Sequence, residues 1–131
     1  KGTFRTMNEE WRMKALDLMD VQLSEIAKET GTKIEFEIVK GYPFLENDSK
    51  TTSELRCKAQ EILGNENVEN LALRMTAEDF SFYTQLVPAC FFRLGVRNEA
   101  KGIVYGVHHP KFDVDKNALK TGMQIMASTA F

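Results

Sequence analysis

The pattern of apolar and polar positions in the first 40 residues predicts a strand, a helix and a second strand. Residues 2–7 and residues 33–39 alternate between two faces, which is the period of a β-strand. Between them, apolar residues recur at helical spacing, from Asn8, a residue that caps helices, to Gly31, a residue that ends them.

The rest of the chain predicts alternating helices and strands. A capping box at 51–54 begins a helix that Gly64 ends, and a last helix begins near Asp113 or Asp115. Between these helices the pattern predicts a strand over 68–75, a short helix over 78–86 and an apolar strand over 89–96. The chain is therefore predicted to be α/β, with an α/β layer around a partly parallel sheet in its second part.

Both long terminal helices are expected to present an apolar face. The first helix carries Leu16, Met19, Leu23 and Ile26, and the last carries Leu119, Met123, Met126 and Ala130.

A domain boundary is predicted at residues 41–48. The segment contains Pro43 and ends in two turn-prone residues, and the composition changes after it. A unit of about 40 residues cannot easily bury its own apolar face. We therefore expect the first unit to pack on other material, either a missing N-terminal part of the same protein or a second copy.

Composition excludes some partners. Of the 131 residues, 43% are hydrophobic, enough for one compact domain or for one domain with a small appendage. The 17 Lys and Arg are interspersed with 19 Asp and Glu, so no basic stripe exists that would suit nucleic acid. The longest apolar runs, such as 89–92, are too short for a membrane span. We expect neither a nucleic-acid nor a membrane partner.

The two cysteines bear on the cellular compartment, and the first residue bears on whether the chain is part of a longer protein. Cys57 and Cys90 form neither a CxxC pair nor a disulfide framework, and reduced cysteines make the cytoplasm the default compartment. Because the chain starts with Lys1 inside a predicted strand, we expect it to be a piece of a longer protein.

His108 and His109 precede Pro110. On the extended backbone expected before a proline, neighbouring side chains lie on opposite sides, so at most one of the two is a metal ligand at a given site. A catalytic zinc site needs about three protein ligands, and no HExxH spacing supplies them here. Spacing alone favours a histidine pair on a surface loop.

Two other positions admit a chemical and a structural interpretation. Glu78 and Asp79 suit acid–base or supporting work at a strand end, or else form the first turn of a helix. Arg5 suits bidentate carboxylate binding, or else lies on a solvated face beside Glu35 or Glu37.

Asn47 and Asp48 are most simply turn and cap residues. Cys90 with a histidine suggests a nucleophile, but its apolar setting disfavours the reactive thiolate.

Five motifs in order carry a resemblance to a known family. They are Gly2-Thr-Phe-Arg5, Gly41-Tyr-Pro43 followed by Asn47-Asp48, Met75-Thr-Ala-Glu-Asp-Phe-Ser-Phe-Tyr83, Phe92-Arg-Leu-Gly95, and His108-His-Pro-Lys-Phe-Asp-Val-Asp115 followed by Ala118-Leu119. The series is similar to the metallopeptidase family of aminoacylases and zinc carboxypeptidases, in the branch of hippurate hydrolase, N-acyl-amino-acid amidohydrolases and plant indole-acetyl-amino-acid hydrolases.

The resemblance implies a division of the chain. Residues 1–42 would be the second half of a lid domain, built as strand, helix, strand, which often forms the contact of a homodimer. Residues 43–131 would be the C-terminal part of a zinc-peptidase-like catalytic domain, built as helix, strand, helix, strand, helix.

The resemblance also implies site residues. His108 matches the last metal ligand, and His109 occupies the variable position beside it. Arg5 matches the lid arginine that helps to hold the substrate carboxylate, and we place Asn47 with it as a substrate-binding candidate. Glu78 and Asp79 match an acidic motif near the pocket and receive a supporting role.

The implied reaction is hydrolysis of the amide bond of an N-acyl amino acid or small peptide, with two divalent ions, zinc or manganese, and a glutamate base. The base and every ligand except His108 would lie upstream of Lys1, so we expect this chain alone to retain no ion and to be inactive. Two alternatives stay open: a non-catalytic α/β interaction or dimerisation module, and a small hydrolase that uses Cys90.

Overall fold

The computed structural model describes residues 1–130, and these contain four α-helices. The helices are α1 (Glu9–Thr30), α2 (Ser49–Leu63), α3 (Ser81–Thr84) and α4 (Lys116–Thr129), with 3-10 turns at Asn65–Asn67 and Glu99–Lys101. No helix among them combines the length and the apolar character that crossing a membrane requires.

The chain divides into two compact units, each made of two segments. The first unit joins residues 1–46 to residues 72–87, and the second joins residues 47–71 to the described residues from Pro88 onward. The assignment of 1–42 to a lid and of 43–131 to a catalytic domain stays a prediction.

The predicted α/β fold is wrong for the structure described. Residues 1–130 form no strand and no sheet, and their β-pairing consists of one isolated antiparallel bridge between Asn98 and Ile103. The four segments predicted as strands, 2–7, 33–39, 68–75 and 89–96, are therefore irregular backbone in both the lid-like and the catalytic-like parts.

Alternation of apolar and polar residues is not enough to predict a strand. A period of two shows that a segment has one apolar face, but a strand also needs a neighbour that accepts and donates its backbone hydrogen bonds. In the described residues these segments find no such ladder, and apolar side chains on them stay exposed, with Val39 at 83% and Leu73 at 79%.

The prediction of α1 is confirmed at both ends. The side-chain oxygen of Asn8 accepts a hydrogen bond from Trp11 N at 2.7 Å, and Gly31 ends the helix at φ 66°, a conformation that favours glycine. Ala15 is buried. On the predicted apolar face Leu16, Met19 and Leu23 are half-buried and Ile26 is 45% exposed.

The second helix is also confirmed, and its cap is Asp48, one of the two residues interpreted from the sequence as turn and cap residues. Asp48, not the box at 51–54, caps α2: its carboxylate accepts from the backbone N of Thr51 at 2.8 Å and from the Thr51 hydroxyl at 2.7 Å. These hydrogen bonds lower the pKa of Asp48, the backbone bond being the larger cause. Gly64 follows the last residue of the helix, as predicted.

Helix α4 packs on α2, but not through the predicted face. Asp115 caps α4, as predicted. Ala118 and Ile125 are buried together with Ala59 of α2. Of the predicted face, Leu119, Met123 and Met126 are 58%, 66% and 59% exposed. Apolar residues lie around much of this helix, so spacing alone did not identify the side that packs.

Candidate functional site

His108 lies on a loop of the second unit that places its imidazole at the surface. His108 has φ 70°, the only positive φ of a non-glycine residue in the described chain, so the backbone there is not the extended one expected before Pro110. Its side chain is exposed and, within residues 1–130, makes no hydrogen bond or ion pair. Both ring nitrogens are therefore accessible.

One ring stack and two hydrogen bonds hold the neighbouring His109. Its ring stacks on Tyr105 at 4.1 Å between centroids and 9° between planes. Its backbone N donates to Gly106 O at 3.2 Å, and its Nδ1 accepts from Lys111 N at 3.0 Å. In the neutral ring the proton then lies on Nε2, since Nδ1 is an acceptor.

A buried carboxylate closes the base of the loop that carries the two histidines. Asp115 accepts hydrogen bonds from Lys101 Nζ at 2.6 Å, from Asn98 Nδ2 at 2.5 Å and from Asn117 N at 3.2 Å. The Lys101 hydrogen bond, followed by those of Asn98 and Asn117, lowers the pKa of Asp115 to about 2. The carboxylate therefore stays charged at neutral pH and joins both ends of the loop.

Asn47 holds the backbone of another segment in the same unit. Its Nδ2 donates to Phe91 O at 2.9 Å, and its Oδ1 accepts from Phe91 N at 2.7 Å. The next residue continues the pairing, with Asp48 N donating to Ala89 O at 2.9 Å. The amide thus imitates one step of a strand ladder.

In the first unit, Glu78 and Asp79 form the turn that starts α3. The Glu78 carbonyl oxygen accepts from Ser81 N at 3.1 Å and from Ser81 Oγ at 2.6 Å, and the Asp79 carbonyl oxygen accepts from Phe82 N at 3.0 Å. Ser81 is fully buried. The two carboxyl-bearing residues therefore stand on a short, well-anchored turn.

Arg5 lies against the segment that leads to this turn. Its Nη1 donates to Met75 O at 3.0 Å. Glu35 pairs with Lys33 at 2.6 Å, and within residues 1–130 Arg5 makes no ion pair with Glu35 or Glu37. One guanidinium nitrogen is engaged and the side chain is exposed, which leaves other donors accessible.

One polar cluster, between α1 and residues 42–44, was not predicted from the sequence. Arg12 Nη2 pairs with Glu9 Oε2 at 2.5 Å and Arg12 Nη1 donates to Tyr42 O at 2.7 Å, while Phe44 N donates to Glu9 Oε1 at 3.0 Å. The sequence signal for this cluster was the pair of opposite charges, Glu9 and Arg12, three residues apart in the first helical turn. The cluster ties irregular backbone to a helix.

The candidate residues are divided between the two units. Arg5, Glu78 and Asp79 belong to the first unit, and Asn47 and His108 belong to the second. Within the described chain no group of three or more His, Cys, Asp or Glu side chains could hold a metal ion. The role of His108 as a metal ligand stays a prediction.

The two cysteines are free thiols, Cys57 exposed and Cys90 half-buried.

The chain belongs to a family of hydrolases. The chain is a member of peptidase family M20/M25/M40, whose model matches residues 3–131. Members of this family are generally metal-dependent. The resemblance drawn from the five motifs is thereby confirmed.

Curated relatives agree with this membership. Thermostable carboxypeptidase 2 of Saccharolobus solfataricus is 36% identical over 123 residues, which are 93% of this chain and 30% of that protein. IAA-amino acid hydrolase ILR1-like 6 of Arabidopsis thaliana is 35% identical over 89 residues, which are 68% of this chain and 19% of that protein. The chain spans no more than about a third of the length of the first relatives it matches. No solved structure matches it.

Proposed function

We propose that this chain is one part of a metal-dependent hydrolase that cleaves the amide bond of an N-acyl amino acid or a small peptide. The family match over residues 3–131 carries the proposal. The relatives named as a carboxypeptidase and as an amino acid hydrolase support a substrate in which an amide joins an amino acid to a second group.

His108 is the residue that would bind metal. Its accessible imidazole supports this role, whereas the His109 ring is stacked and its Nδ1 is occupied. We place the other ligands elsewhere in the full-length protein, since no group of three or more His, Cys, Asp or Glu side chains within residues 1–130 could hold a metal ion. A bound divalent ion, zinc or manganese, would lower the pKa of a water and polarise the amide carbonyl. This chain alone would therefore retain no ion and be inactive.

Arg5 and Asn47 would each offer a polar contact to the substrate. The accessible donors of Arg5 suit the fork of a substrate carboxylate. Asn47 donates one side-chain N–H to Phe91 O, and its second N–H would donate to a substrate oxygen. Glu78 and Asp79, on the turn before α3, would have a supporting role.

Residues 1–42 would form the contact of a homodimer in the cytoplasm. Large apolar side chains in this part are exposed, including Trp11 at 58%, Phe36 at 46% and Val39 at 83%, and such surface favours association. Sedimentation of the full-length protein should give a dimer, and a clean monomer at high concentration would refute this contact.

A non-catalytic dimerisation module is the second candidate. The same exposed apolar side chains favour it, because they need a partner whether or not the protein is an enzyme. Activity separates the two candidates.

The experiment is an amide-hydrolysis assay of the full-length protein on a panel of N-acyl amino acids, with and without a chelator. We expect hydrolysis that the chelator stops, loss of this activity in His108→Ala, and retained activity in the control Asn65→Ala, whose replaced side chain is exposed and makes no hydrogen bond within residues 1–130. Metal-dependent hydrolysis that survives His108→Ala would overturn the ligand assignment, and no hydrolysis of any panel member would favour the dimerisation module.

A further inference from the structure

We propose that Tyr105 and His109 are positioning residues that fix the backbone of His108 and so present its imidazole. The proposal rests on the function proposed above, since it concerns how the ligand histidine is held. Neither residue would touch metal or substrate.

The backbone of His108 requires such support. A positive φ brings the Cβ of an L-residue close to the backbone, so a histidine adopts it only where the surroundings hold it there. Within residues 1–130 the His108 side chain has no partner, so its own side-chain contacts do not hold the positive φ. The force that maintains it therefore comes from the neighbours in the loop.

His109 supplies that force through its ring and its backbone. The stack on Tyr105, with planes 9° apart, fixes the orientation of the ring, and the bond from Lys111 N to Nδ1 fixes its position along the chain. The bond from His109 N to Gly106 O closes a turn across the two residues between them. One of these two residues is His108, whose φ is therefore determined by a closed turn with a stacked ring at its end.

A cation completes the stack. Lys111 Nζ lies 5.8 Å from the centroid of the Tyr105 ring, within the range of a cation–π interaction. Lys111 thus contacts the pair twice, through its backbone at His109 and through its ammonium group at Tyr105. The assembly is local, spanning Tyr105 to Lys111, and it sits on the loop that Asp115 closes at its base.

The first test reads the backbone directly in this chain. Positive φ brings the amide and α protons of one residue close together, so His108 should show a strong intraresidue NOE between them. Tyr105→Phe keeps an aromatic ring for the stack and should keep this NOE, whereas Tyr105→Leu should weaken it. Because Tyr105 is 40% exposed, the substitution should leave the remaining amide spectrum unchanged.

The second test measures metal affinity in the full-length enzyme. Removing a group that orients a ligand typically weakens metal binding by about 10–100-fold, and we expect a loss in this range for Tyr105→Leu, with Tyr105→Phe unchanged. His109→Leu gives a second route to the same loss, since it removes both the stack and the Nδ1 acceptor.

The two proposals fail in different ways. If His108→Ala leaves metal-dependent hydrolysis intact, the ligand assignment is wrong, and the positioning proposal falls with it. If His108→Ala abolishes the activity while Tyr105→Leu and His109→Leu change neither the NOE nor the metal affinity, the positioning proposal alone is wrong.

Discussion

Replacing Asn47 should destabilise the second unit, because its amide is the hydrogen-bond partner of a distant backbone. The two bonds to Phe91 measure 2.9 and 2.7 Å and join residues that lie 44 positions apart in the chain. Asn47→Ala removes both bonds, and Asn47→Asp replaces the donor with a second acceptor that faces the Phe91 carbonyl oxygen.

The size of the effect follows from the two bonds. A hydrogen bond contributes about 1 kcal/mol net, and a buried group that loses its partner costs about 1–3 kcal/mol. Asn47 is half-buried, so part of the loss is recovered by water. We expect Asn47→Ala to lower the free energy of unfolding by about 2 kcal/mol and Asn47→Asp to lower it by at least as much.

The assay is urea unfolding of the chain followed by circular dichroism, with Asn65→Ala as the matched control. Asn65 is exposed and its side chain makes no hydrogen bond within residues 1–130, so its replacement should change stability by no more than about 0.5 kcal/mol. If Asn47→Ala is as mild as this control, the amide does not hold Phe91, and its role is confined to substrate.

Two further predictions concern α4. The pKa of Asp115 lies at about 2 in the folded chain, below its ordinary value of 3.8, so its carboxylate adds stability above pH 3.8 that is lost as pH falls through about 2. Urea midpoints measured across this pH window should show a smaller decline in Asp115→Asn, and an equal decline would refute the hydrogen-bond network as its cause. Ile125, 3% exposed, should cost about 2–5 kcal/mol when changed to Ala, whereas the exposed neighbour Met126→Ala should cost no more than about 0.5 kcal/mol; equal losses by thermal unfolding would contradict the packing of α4 on α2.

The helices were predictable because their signals are local. Asn8 and Asp115 cap the helices that directly follow them, and Gly31 and Gly64 end helices as expected. The strands were not predictable in the same way. Alternation describes one segment, whereas strand pairing depends on a second segment elsewhere, and within residues 1–130 that partner is missing.

In the candidate site, too, the local features were predictable from the sequence and the others were not. The series of five motifs sufficed for the family, whereas the choice of His108 over His109 as a metal ligand stays a prediction. The positive φ of His108 and the stack of His109 on Tyr105 were not visible in the motifs, because the expectation before a proline is extended backbone. The bonds between Asn47 and Phe91 join segments that no local pattern connects.

Metal content of the full-length protein tests the central claim, that His108 binds metal in an M20-type hydrolase, most directly. Wild type, His108→Ala and the control Asn65→Ala should be purified in parallel and analysed for zinc and manganese per chain. We predict that His108→Ala loses metal relative to wild type while Asn65→Ala retains it. Equal metal content in wild type and His108→Ala would contradict the assignment.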